Sequence, residues 1–331
     1  MRKIRIAQIG TSRYSHGTAI FSTLAKYPEI FEIVGYAFPE NEREKFPQNI
    51  RPFEKYREMT VEEILNDDTI EAVTIETEEI YLTKYALLAA KHGKHIHMEK
   101  PGGASLEKFE ELISTVKANG TVFHTGYMYR YNPAISDIIS RVQAGEIGKV
   151  ISVEAQMSCW YEPVWTKWLE VFEGGIMFFL GCHLVDLVMR LQGAPKRVIP
   201  FNRSSGRYEG VNSRDNCLAV LEYENGASFV KTTSAERGGF LRRQLIITGT
   251  EGRFEVCPLE RSAGNGMQCT DFTLCKGTEW AANAENFTSE GYGRYDRMML
   301  AFGEMVRGET ENPYTCDYEL ELFKTVKKCC E

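Results

Sequence analysis

The chain of 331 residues lacks three features, each of which would assign it to a special class of protein. No apolar run approaches the roughly 18 residues of a membrane-spanning helix. No basic cluster is present and the formal charge is −7, which argues against a nucleic-acid partner. The N-terminus MRKIRIAQIG has neither an apolar signal region nor a small-residue cleavage site, so it does not resemble a signal peptide.

Cysteine is absent before Cys159, and none of the nine cysteines forms a C-x-x-C pair. An odd number of scattered cysteines is typical of reduced thiols in a cytosol, not of a disulfide scaffold, so we expect a cytoplasmic protein. With 43% hydrophobic and 11% aromatic residues, the composition suffices for a well-buried core. At about 150 residues per domain, the length predicts two domains.

Glycine is missing at two positions of a near-complete dinucleotide-binding motif. The apolar run 4–9 ends at Gly10 and a helix-like segment begins at Thr18, which is the setting of G-x-G-x-x-G in a βαβ unit. Ser12 and Ser15 replace the second and third glycines. A serine side chain blocks the closest approach of the backbone to pyrophosphate, but its hydroxyl can donate a hydrogen bond, and the helix N-terminus still offers free N–H groups. The motif therefore leaves dinucleotide binding open.

Strands and helices alternate over the first third of the chain. Apolar, β-branched runs predict strands at 3–10, 31–38, 71–77, 94–101 and 121–127, and helical spacing predicts helices at 18–26, 61–65, 84–92 and 106–118. This alternation predicts a Rossmann-type, doubly wound parallel sheet that binds ligand at the carboxyl ends of its strands.

After about residue 148 the pattern changes to strands joined by hairpins. Strands are predicted within 148–160, 196–203, 217–234, 242–257 and 272–277, and helices only at 177–191, 292–307 and 316–330. We therefore predict a dinucleotide-binding domain over 1–124. An α+β substrate-binding and oligomerisation domain with a large, open, mostly antiparallel sheet is predicted over 125–331. Because an open sheet needs a cover for its exposed face, we expect a homodimer or homotetramer.

Three stretches carry a resemblance to a known family. They are AAKHGKHIHMEKPGG, which contains Glu99-Lys100-Pro101, GYMYRYNPA at 126–134, and EGGIMFFLGCHLVDLV, which contains His183. Together with ITGTEGRFEV at 247–256 and the C-terminal YTCDYELELFKTVKKC, they resemble the glucose–fructose oxidoreductase, inositol dehydrogenase and rhizopine-catabolism (Gfo/Idh/MocA) family over nearly the whole chain. The resemblance implies a nicotinamide-dependent oxidoreductase that acts on a sugar, inositol or related polyol.

The resemblance also implies catalytic roles for Lys100 and His183, which would flank the reacting hydroxyl. Removing hydride from a C–H bond requires the hydroxyl proton to pass to a base, and a lysine ammonium stabilises the developing alkoxide. The expected cofactor-binding residues are Gly10, Thr11, Ser12, Arg13, Tyr14, Phe38, Glu40, Thr77, Glu78, Glu79, Glu99, Lys100 and Pro101. The expected substrate-binding residues are Lys100, Tyr127, Arg130, Tyr161, Trp168, His183 and Asp186.

Several positions depart from the family pattern. Phe179 replaces an aspartate one helical turn before the histidine, and Phe38 replaces the acidic residue that holds the adenosine ribose. Thr77-Glu78-Glu79 stands for T-P-N, and Leu82 stands for the histidine that follows. These departures have two interpretations, either an adapted site or a fold that has lost cofactor binding or hydride transfer.

Under the first interpretation, nearby residues take over the missing roles. Glu40 can reach the ribose hydroxyls, and the acidic run 40–42 repels a 2′-phosphate, which favours NAD over NADP as the cofactor. Asp186 lies three residues after His183 on the same helix face and can orient its imidazole. With no carboxylate at position 179, we expect a neutral His183 near pH 7.

Two further functions stay open from the sequence alone. One is an NAD-dependent enzyme that cleaves a glycosidic substituent by transient oxidation and elimination, and the other is a non-catalytic sugar- or nucleotide-binding protein with a degenerate site. The cluster His92, His95 and His97 has no cysteine or carboxylate set to complete a metal shell, so we expect no metal. The aromatic residues at 160, 161, 165 and 168 fit both a sugar-stacking surface and core packing.

Overall fold

The structure is a computed structural model that describes residues 2–14, 16–278 and 284–331, so that Ser15 lies outside the described residues. The chain divides into two compact units, Met1–Tyr127 with Tyr295–Phe323 and Met128–Arg294 with Lys324–Glu331. The chain passes from the first unit to the second after Tyr127, where the sequence analysis placed a boundary after residue 124. Residues 295–323 were expected in the second domain but belong to the first unit, where Asp296 pairs with Lys26. A helical pattern does not reveal which unit its apolar face packs against.

Within the described residues, the first unit contains a five-stranded parallel sheet in the order β2-β1-β3-β4-β5. Its strands are β1 (Ile4–Ile9), β2 (Phe31–Ala37), β3 (Ala72–Ile75), β4 (His95–Met98) and β5 (Phe123–Thr125). The helices between them are α1 (Gly17–Lys26), α2 (Glu42–Lys45), α3 (Val61–Asn66), α4 (Leu82–Lys91) and α5 (Leu106–Asn119). The predicted doubly wound sheet is confirmed, and α2 is an addition to it.

Because the strands are parallel, the segments that follow β1, β3 and β4 meet at one edge of the sheet. Gly10 follows β1 with φ of +92°, and a Cβ at that position would lie 2.5 Å from the backbone nitrogen of Thr77. At the other side of this edge, a Cβ on Gly126 would lie 2.5 Å from Oε2 of Glu99. Glycine is required at position 10, since any side chain there would separate the segments after β1 and β3, whereas at position 126 only the end of the Glu99 side chain would have to move.

The second unit, as far as it is described, contains an eight-stranded sheet in the order β15-β14-β11-β10-β6-β9-β8-β7. Its neighbours pair antiparallel except β6 with β9. The strands are β6 (Val150–Gln156), β7 (Arg197–Arg203), β8 (Asn216–Tyr223), β9 (Gly226–Thr233), β10 (Gln244–Gly249), β11 (Arg253–Val256), β12 (Arg261–Gly264), β13 (Met267–Cys269), β14 (Asp271–Cys275) and β15 (Ala284–Thr288), of which β12 and β13 form a separate pair. The mostly antiparallel sheet is confirmed, while β12, β13 and β15 were not predicted.

The remaining helices are α6 (Pro133–Gln143), α7 (Pro163–Trp168), α8 (Cys182–Gln192), α9 (Asp296–Val306) and α10 (Cys316–Cys330). The sequence predicted the last three but not α6 or α7. A start signal for α6 is present, since Asn132 caps the backbone N–H groups of Ala134 and Ile135 and Pro133 follows it. The described part of the chain has no helix long and apolar enough to cross a membrane, and all nine cysteines carry free thiols, as the sequence indicated.

Candidate functional site

The loop after β1 presents polar groups at the position where a dinucleotide-binding fold holds pyrophosphate. Ser12 is buried and has a left-handed φ of +48°, which only glycine adopts without strain. The hydroxyl groups of Thr11 and Ser12 are both buried and have no hydrogen-bond partner among the described residues. Arg13 is exposed, with its guanidinium carbon 5.5 Å from the ring centroid of Tyr14. The loop therefore holds two hydroxyl donors that no described protein group uses.

The carboxyl group of Glu42 accepts hydrogen bonds from the backbone of this loop and from the segment after β3. Oε2 of Glu42 accepts a hydrogen bond from the backbone N–H of Thr11 at 2.9 Å, and Oε1 accepts from that of Glu78 at 3.3 Å. Glu42 is fully buried, and this burial raises its pKa to about 8, helped by the charge of Glu78 and opposed by the N–H groups of Thr11, Glu78 and Ser12. The prediction that Glu42 repels a 2′-phosphate from the surface is therefore wrong, because its carboxyl lies inside the loop.

Glu40 and Phe38 lie on the segment that follows β2. The carboxylate of Glu40 accepts hydrogen bonds from Nζ of Lys84 at 2.5 Å and from the hydroxyl of Tyr85 at 2.7 Å, and these two donors lower its pKa. The half-buried ring of Phe38 packs 4.9 Å from that of Phe53, in an aromatic cluster beneath the strand. The sequence argument counted the charge of Glu40 without the lysine that partly balances it.

The segments after β3 and β4 bring buried acids close to Lys100. Lys100 is 3% exposed and its Nζ lies 3.7 Å from Oε1 of Glu99, and the Lys100–Pro101 peptide bond is cis. Burial raises the pKa of both Glu79 and Glu99 to about 8, although the Lys100 ammonium opposes the shift in each. Glu76 is also fully buried, and its burial together with the charge of Glu79 raises its pKa well above the usual range.

Two predicted cofactor residues on these segments have backbone or surface roles. Thr77 is buried directly against Gly10, and its hydroxyl donates to the carbonyl of Glu78 at 3.3 Å. The side chain of Glu78 pairs with Lys45 at 3.6 Å, which places it towards the outside of the segment. Tyr127 follows β5, is 2% exposed and donates its backbone N–H to Thr125.

The histidines considered as metal ligands have separate protein contacts. Nδ1 of His92 lies 2.8 Å from the carbonyl of Leu88, and Nδ1 of His95 accepts from the backbone of Val122. His97 is fully buried, with Nδ1 at 2.7 Å from Nδ1 of His124. Nε2 of His97 lies 3.5 Å from Glu76, and burial lowers the pKa of its imidazole to about 3. Across 2–14, 16–278 and 284–331, no group of three or more metal-ligating side chains is present.

His183 lies in the second unit on α8, which follows a π-helical turn over Met177–Gly181. Since a π-helical turn contains an additional residue, the expectation of a regular α-helical turn between positions 179 and 183 is wrong. Phe179 is 5% exposed, and its ring contacts that of Trp168 edge to face at 4.9 Å. The ring of Tyr129 lies 5.5 Å from the imidazole of His183, also edge to face.

Arg130 and Asp186 form a buried ion pair in the same unit. Nη2 of Arg130 donates to Oδ1 of Asp186 at 2.8 Å, and Nε lies 3.1 Å from both carboxylate oxygens. Both side chains are 1% exposed. The sequence predicted both as substrate ligands, and Asp186 as a residue that orients His183, without foreseeing this pair. Those roles stay predictions.

Aromatic side chains continue from Phe179 along α7. The ring centroid of Trp165 lies 6.4 Å from that of Trp168, and the ring centroid of Tyr161 lies 4.9 Å from that of Trp165. Trp165, Trp168 and Tyr161 are each only half-buried, unlike the residues of the core. Their partial exposure is compatible with a surface on which a ligand ring stacks, and the substrate-binding roles of Tyr161 and Trp168 stay predictions.

Sequence reasoning missed three residues of these surroundings. Glu42 lay in an acidic surface pattern that gave no sign of burial, and Glu76 was read only as the end of a strand. Tyr129 lay in the GYMYRYNPA stretch without an assigned role; its hydroxyl donates to Oε1 of Glu260 at 3.0 Å. Burial, with a smaller contribution from Glu260, raises the pKa of Tyr129 to about 12.

The residues of the β1 loop fit the diphosphate of a dinucleotide. The N–H of Thr11 already binds an acidic side chain, and the hydroxyls of Thr11 and Ser12 lack acceptors within the described residues. A diphosphate would supply acceptors to all these donors once Glu42 left the loop.

Comparison with known proteins identifies the family. Residues 4–127 match the model described as oxidoreductase family, NAD-binding Rossmann fold, and residues 136–255 match the GFO/IDH/MocA C-terminal domain. The chain belongs to the Gfo/Idh/MocA oxidoreductase family, and the resemblance recognised in its sequence is confirmed.

The individual relatives are distant in sequence from this chain. The scyllo-inositol 2-dehydrogenase (NAD(+)) of Bacillus subtilis (strain 168) is 31% identical over 198 residues, which cover 57% of this chain and 56% of the relative. The 2,7-anhydro-N-acetylneuraminate hydratase of Mediterraneibacter gnavus is 23% identical over 275 residues, covering 77% of this chain and 68% of the relative. The match thus spans little more than half the length of the first of these relatives. The structure of levoglucosan dehydrogenase in complex with NADH and levoglucosan has a TM-score of 0.82 at 18% identity, covering 99% of this chain and 96% of that one, which shows a shared fold.

We expect NAD to bind more tightly than NADP, because Glu40 follows β2 where a ribose 2′-phosphate would approach. Glu40→Gln should lower the ratio of NAD to NADP affinity by roughly 3–10-fold, since it removes one charge and releases the ammonium of Lys84. Titration of both cofactors measures the ratio. The control is the double variant Glu40→Gln/Lys84→Met, which removes both charges and should not gain NADP affinity. Tighter binding of NADP than of NAD by the wild type would contradict the prediction.

We expect dinucleotide affinity to rise with pH between about pH 5 and about pH 8. Glu42 binds a proton up to about pH 8 while it lies in the loop, and displacement into solvent returns its pKa towards the ordinary value, so binding releases a proton in this range. Calorimetric titration in buffers of different ionisation enthalpy measures the release. Glu42→Gln should remove it, whereas Glu44→Gln, at an exposed position of α2, should not. Equal proton release by wild type and Glu42→Gln would show that the carboxyl stays in place.

We expect Asp186→Asn to lower the free energy of unfolding by about 3–5 kcal/mol, because it leaves the buried guanidinium of Arg130 without its carboxylate. Chemical denaturation measures the change. Glu222→Gln is the matched control, since it breaks an exposed pair with Arg197 and should cost less than about 1 kcal/mol. Equal losses of unfolding free energy in the two variants would show that the buried pair contributes no more to stability than the exposed pair.

Proposed function

We propose that the chain is an NAD-dependent oxidoreductase that transfers hydride between nicotinamide and a carbinol of a sugar, inositol or related polyol. The observation that carries the proposal is Lys100, which is 3% exposed at the end of β4, on the sheet edge where the β1 loop presents its donors. Membership of the oxidoreductase family and the names of its relatives support the same reaction class.

In this proposal the donors of Thr11 and Ser12 hold the diphosphate, and the cofactor supplies the hydride acceptor when bound. The ammonium of Lys100 stabilises the alkoxide that develops as hydride leaves. Glu79 and Glu99, with pKa values of about 8, are mostly protonated at pH 7 and therefore leave most of that positive charge uncancelled. His183 accepts the hydroxyl proton as the general base.

A second candidate keeps NAD but uses a transient ketone to acidify a neighbouring C–H bond and eliminate a substituent. Phe179 favours it, since an aromatic residue stands where the family has a carboxylate, and the hydratase among the relatives shows that the family includes reactions other than net oxidation. Net formation of NADH with a polyol supports the first function, and release of the substituent without net NADH supports the second. Turnover of neither kind, with no NAD binding, would leave a non-catalytic binding protein.

We also propose that the chain forms a homodimer or homotetramer through the open face of its large sheet. Ile151 on β6 and Phe201 on β7 expose 41% and 49% of their surface. The two strands are separated by β9 and β8, so the support for a covering second copy is the open antiparallel sheet itself, whose exposed face needs a cover.

We expect Lys100→Met to lower turnover about 10²–10⁴-fold, because it retains the length of the side chain but removes the ammonium. Initial rates of NAD reduction with the identified polyol measure the effect, and circular dichroism verifies the fold. Lys91→Met, which removes an exposed lysine from α4, is the control and should retain full activity. Near-native turnover by Lys100→Met would assign Lys100 a structural role.

We expect His183→Asn to abolish most activity and Phe179→Asp to shift the pH–rate profile. A carboxylate near His183 would favour the imidazolium and raise its pKa, so the acidic limb should move to higher pH. Phe179→Ala is the matched control, since it loses the contact with Trp168, at a cost of about 3–5 kcal/mol, without adding charge. An unchanged profile in His183→Asn would exclude His183 as the base.

A further inference from the structure

Three arginines gather at the end of β6 in the second unit. Trp160 follows this strand and forms an antiparallel bridge with Ala235. The guanidinium carbons of Arg207 and Arg237 lie 4.3 Å and 4.0 Å from the ring centroid of Trp160. Both are within the range of a favourable cation–π contact, so one indole ring holds two positive charges close together.

Arg207 has hydrogen-bond donors that no described protein group uses. Its Nη2 donates to the hydroxyl of Thr166 at 3.1 Å and lies 3.7 Å from Oδ2 of Asp215. Its Nε and Nη1 are buried and have no hydrogen-bond partner in the described part of the chain. Asp215 is itself engaged by the backbone N–H and the hydroxyl of Ser205, at 2.6 Å and 2.7 Å. Nε and Nη1 do not share one edge of the guanidinium, so each of them can donate a single charge-assisted hydrogen bond to a carboxylate or a phosphate.

Arg243 adds a third charge to the same place. The thiol of Cys159, next to Trp160, has its pKa raised to about 11 by burial, while Arg243 and Arg207 both oppose the rise. Arg243 also opposes the upward shift in the pKa of Tyr129. Nε of Arg243 donates to the carbonyl of Ser158 at 3.5 Å, and the backbone carbonyl of Arg243 accepts from the N–H of Leu259 at 2.8 Å, so Arg243 lies between the segment of Trp160 and the segment of Glu260.

The nearby carboxylates are committed to other partners. Glu236 accepts from Nη1 of Arg242 at 2.6 Å, and Glu260 accepts from Nε of Arg294 at 3.0 Å and from Tyr129. Among the described residues, no ion pair joins a carboxylate to Arg237 or Arg243. The surroundings of Trp160 therefore carry an excess of positive charge.

This surface is continuous with the surroundings of His183 in two directions. In one direction, the Tyr129 ring contacts His183 and its hydroxyl donates to Glu260, whose neighbour Leu259 donates its backbone N–H to the carbonyl of Arg243. In the other, aromatic contacts run from the helix of His183 back to the neighbour of Trp160, through Phe179, Trp168, Trp165 and Tyr161. Aromatic rings that alternate with guanidinium groups combine a stacking surface for a sugar ring with donors for an anionic group.

We propose that the substrate is an anionic sugar derivative, whose carboxylate or phosphate binds Arg207, Arg237 and Arg243 while its ring stacks on the aromatic residues beside His183. This proposal rests on the proposed function, which it narrows from polyols in general to acidic ones. Two charge-assisted hydrogen bonds from Arg207 would favour an acidic substrate over its neutral parent by roughly 10–100-fold in kcat/KM.

The test compares neutral sugars with acidic sugars of the same stereochemistry on the full chain with NAD. Glucose and galactose are the neutral members, glucuronate and galacturonate carry the carboxylate, and the 6-phosphates of glucose and galactose carry the phosphate. Initial rates give kcat/KM, and calorimetric titration gives binding without turnover. We expect an acidic member to exceed its neutral parent in both measurements, and the better of the two acidic classes identifies the anion.

Variants test the assigned residues. Arg207→Met should lower kcat/KM for the acidic substrate roughly 10–100-fold, mainly through KM, and leave a neutral substrate unchanged. Arg237→Met changes an exposed residue, so it provides the same test if the buried variant fails to fold. Arg253→Met, which changes an exposed arginine on β11, is the charge-matched control.

Equal binding of acidic and neutral members, or equal effects of Arg237→Met on both classes, would overturn this inference and leave the oxidoreductase function in place. Binding of an acidic sugar that depends on Arg207 or Arg237, without any NAD-dependent chemistry, would support the anion site and contradict the proposed function.

Discussion

The close contact between Gly10 and Thr77 determines the geometry on which the cofactor side of the molecule depends. With a separation of 2.5 Å between Thr77 and a Cβ built at Gly10, no side chain fits, and the segments after β1 and β3 lie directly against each other. This contact brings the N–H groups of Thr11 and Glu78 close enough for one carboxyl, that of Glu42, to bind both. Further along the same edge, the N–H of Glu99 donates to the carbonyl of Ile75, so that Glu99 and Lys100 follow β4 beside the segment after β3.

The segments at this edge of the sheet bury four glutamate side chains. Glu42, Glu76, Glu79 and Glu99 are all at most 1% exposed, and burial raises the pKa of each. Desolvation exceeds the attraction of Lys100 in this group, because one ammonium cannot compensate for three nearby carboxyl groups removed from water. Because Glu79 and Glu99 are mostly protonated at pH 7, they leave most of the positive charge of Lys100 uncancelled, as its proposed role in stabilising an alkoxide requires.

The sequence was sufficient for those features that depend on local pattern. Alternating strands and helices predicted the parallel sheet, and the hairpin pattern within 217–234 predicted the strands β8 and β9. The departure at Ser12 was visible from the spacing of the glycines. Features that depend on which distant groups meet were not predictable. The burial of Glu42, the pair of Arg130 with Asp186 and the return of residues 295–323 to the first unit each join residues far apart in the chain. The local charge pattern around Glu40 also gave no sign of its ion pair with Lys84, because Lys84 lies far along the chain.

The departures from the family pattern carry physical costs that bear on whether the site is adapted or decayed. Ser12 has a left-handed backbone, a conformation that costs a non-glycine residue about 1–3 kcal/mol. The oxygens of Glu76 and Glu79 and the hydroxyls of Thr11 and Ser12 are buried without a described hydrogen-bond partner, and each such group costs about 1–3 kcal/mol. Apolar residues of similar size at these positions would remove the cost without harm to the fold. A site that keeps strained and unsatisfied polar groups at the edge where its fold binds ligand is organised for a polar ligand, which favours adaptation over loss of function.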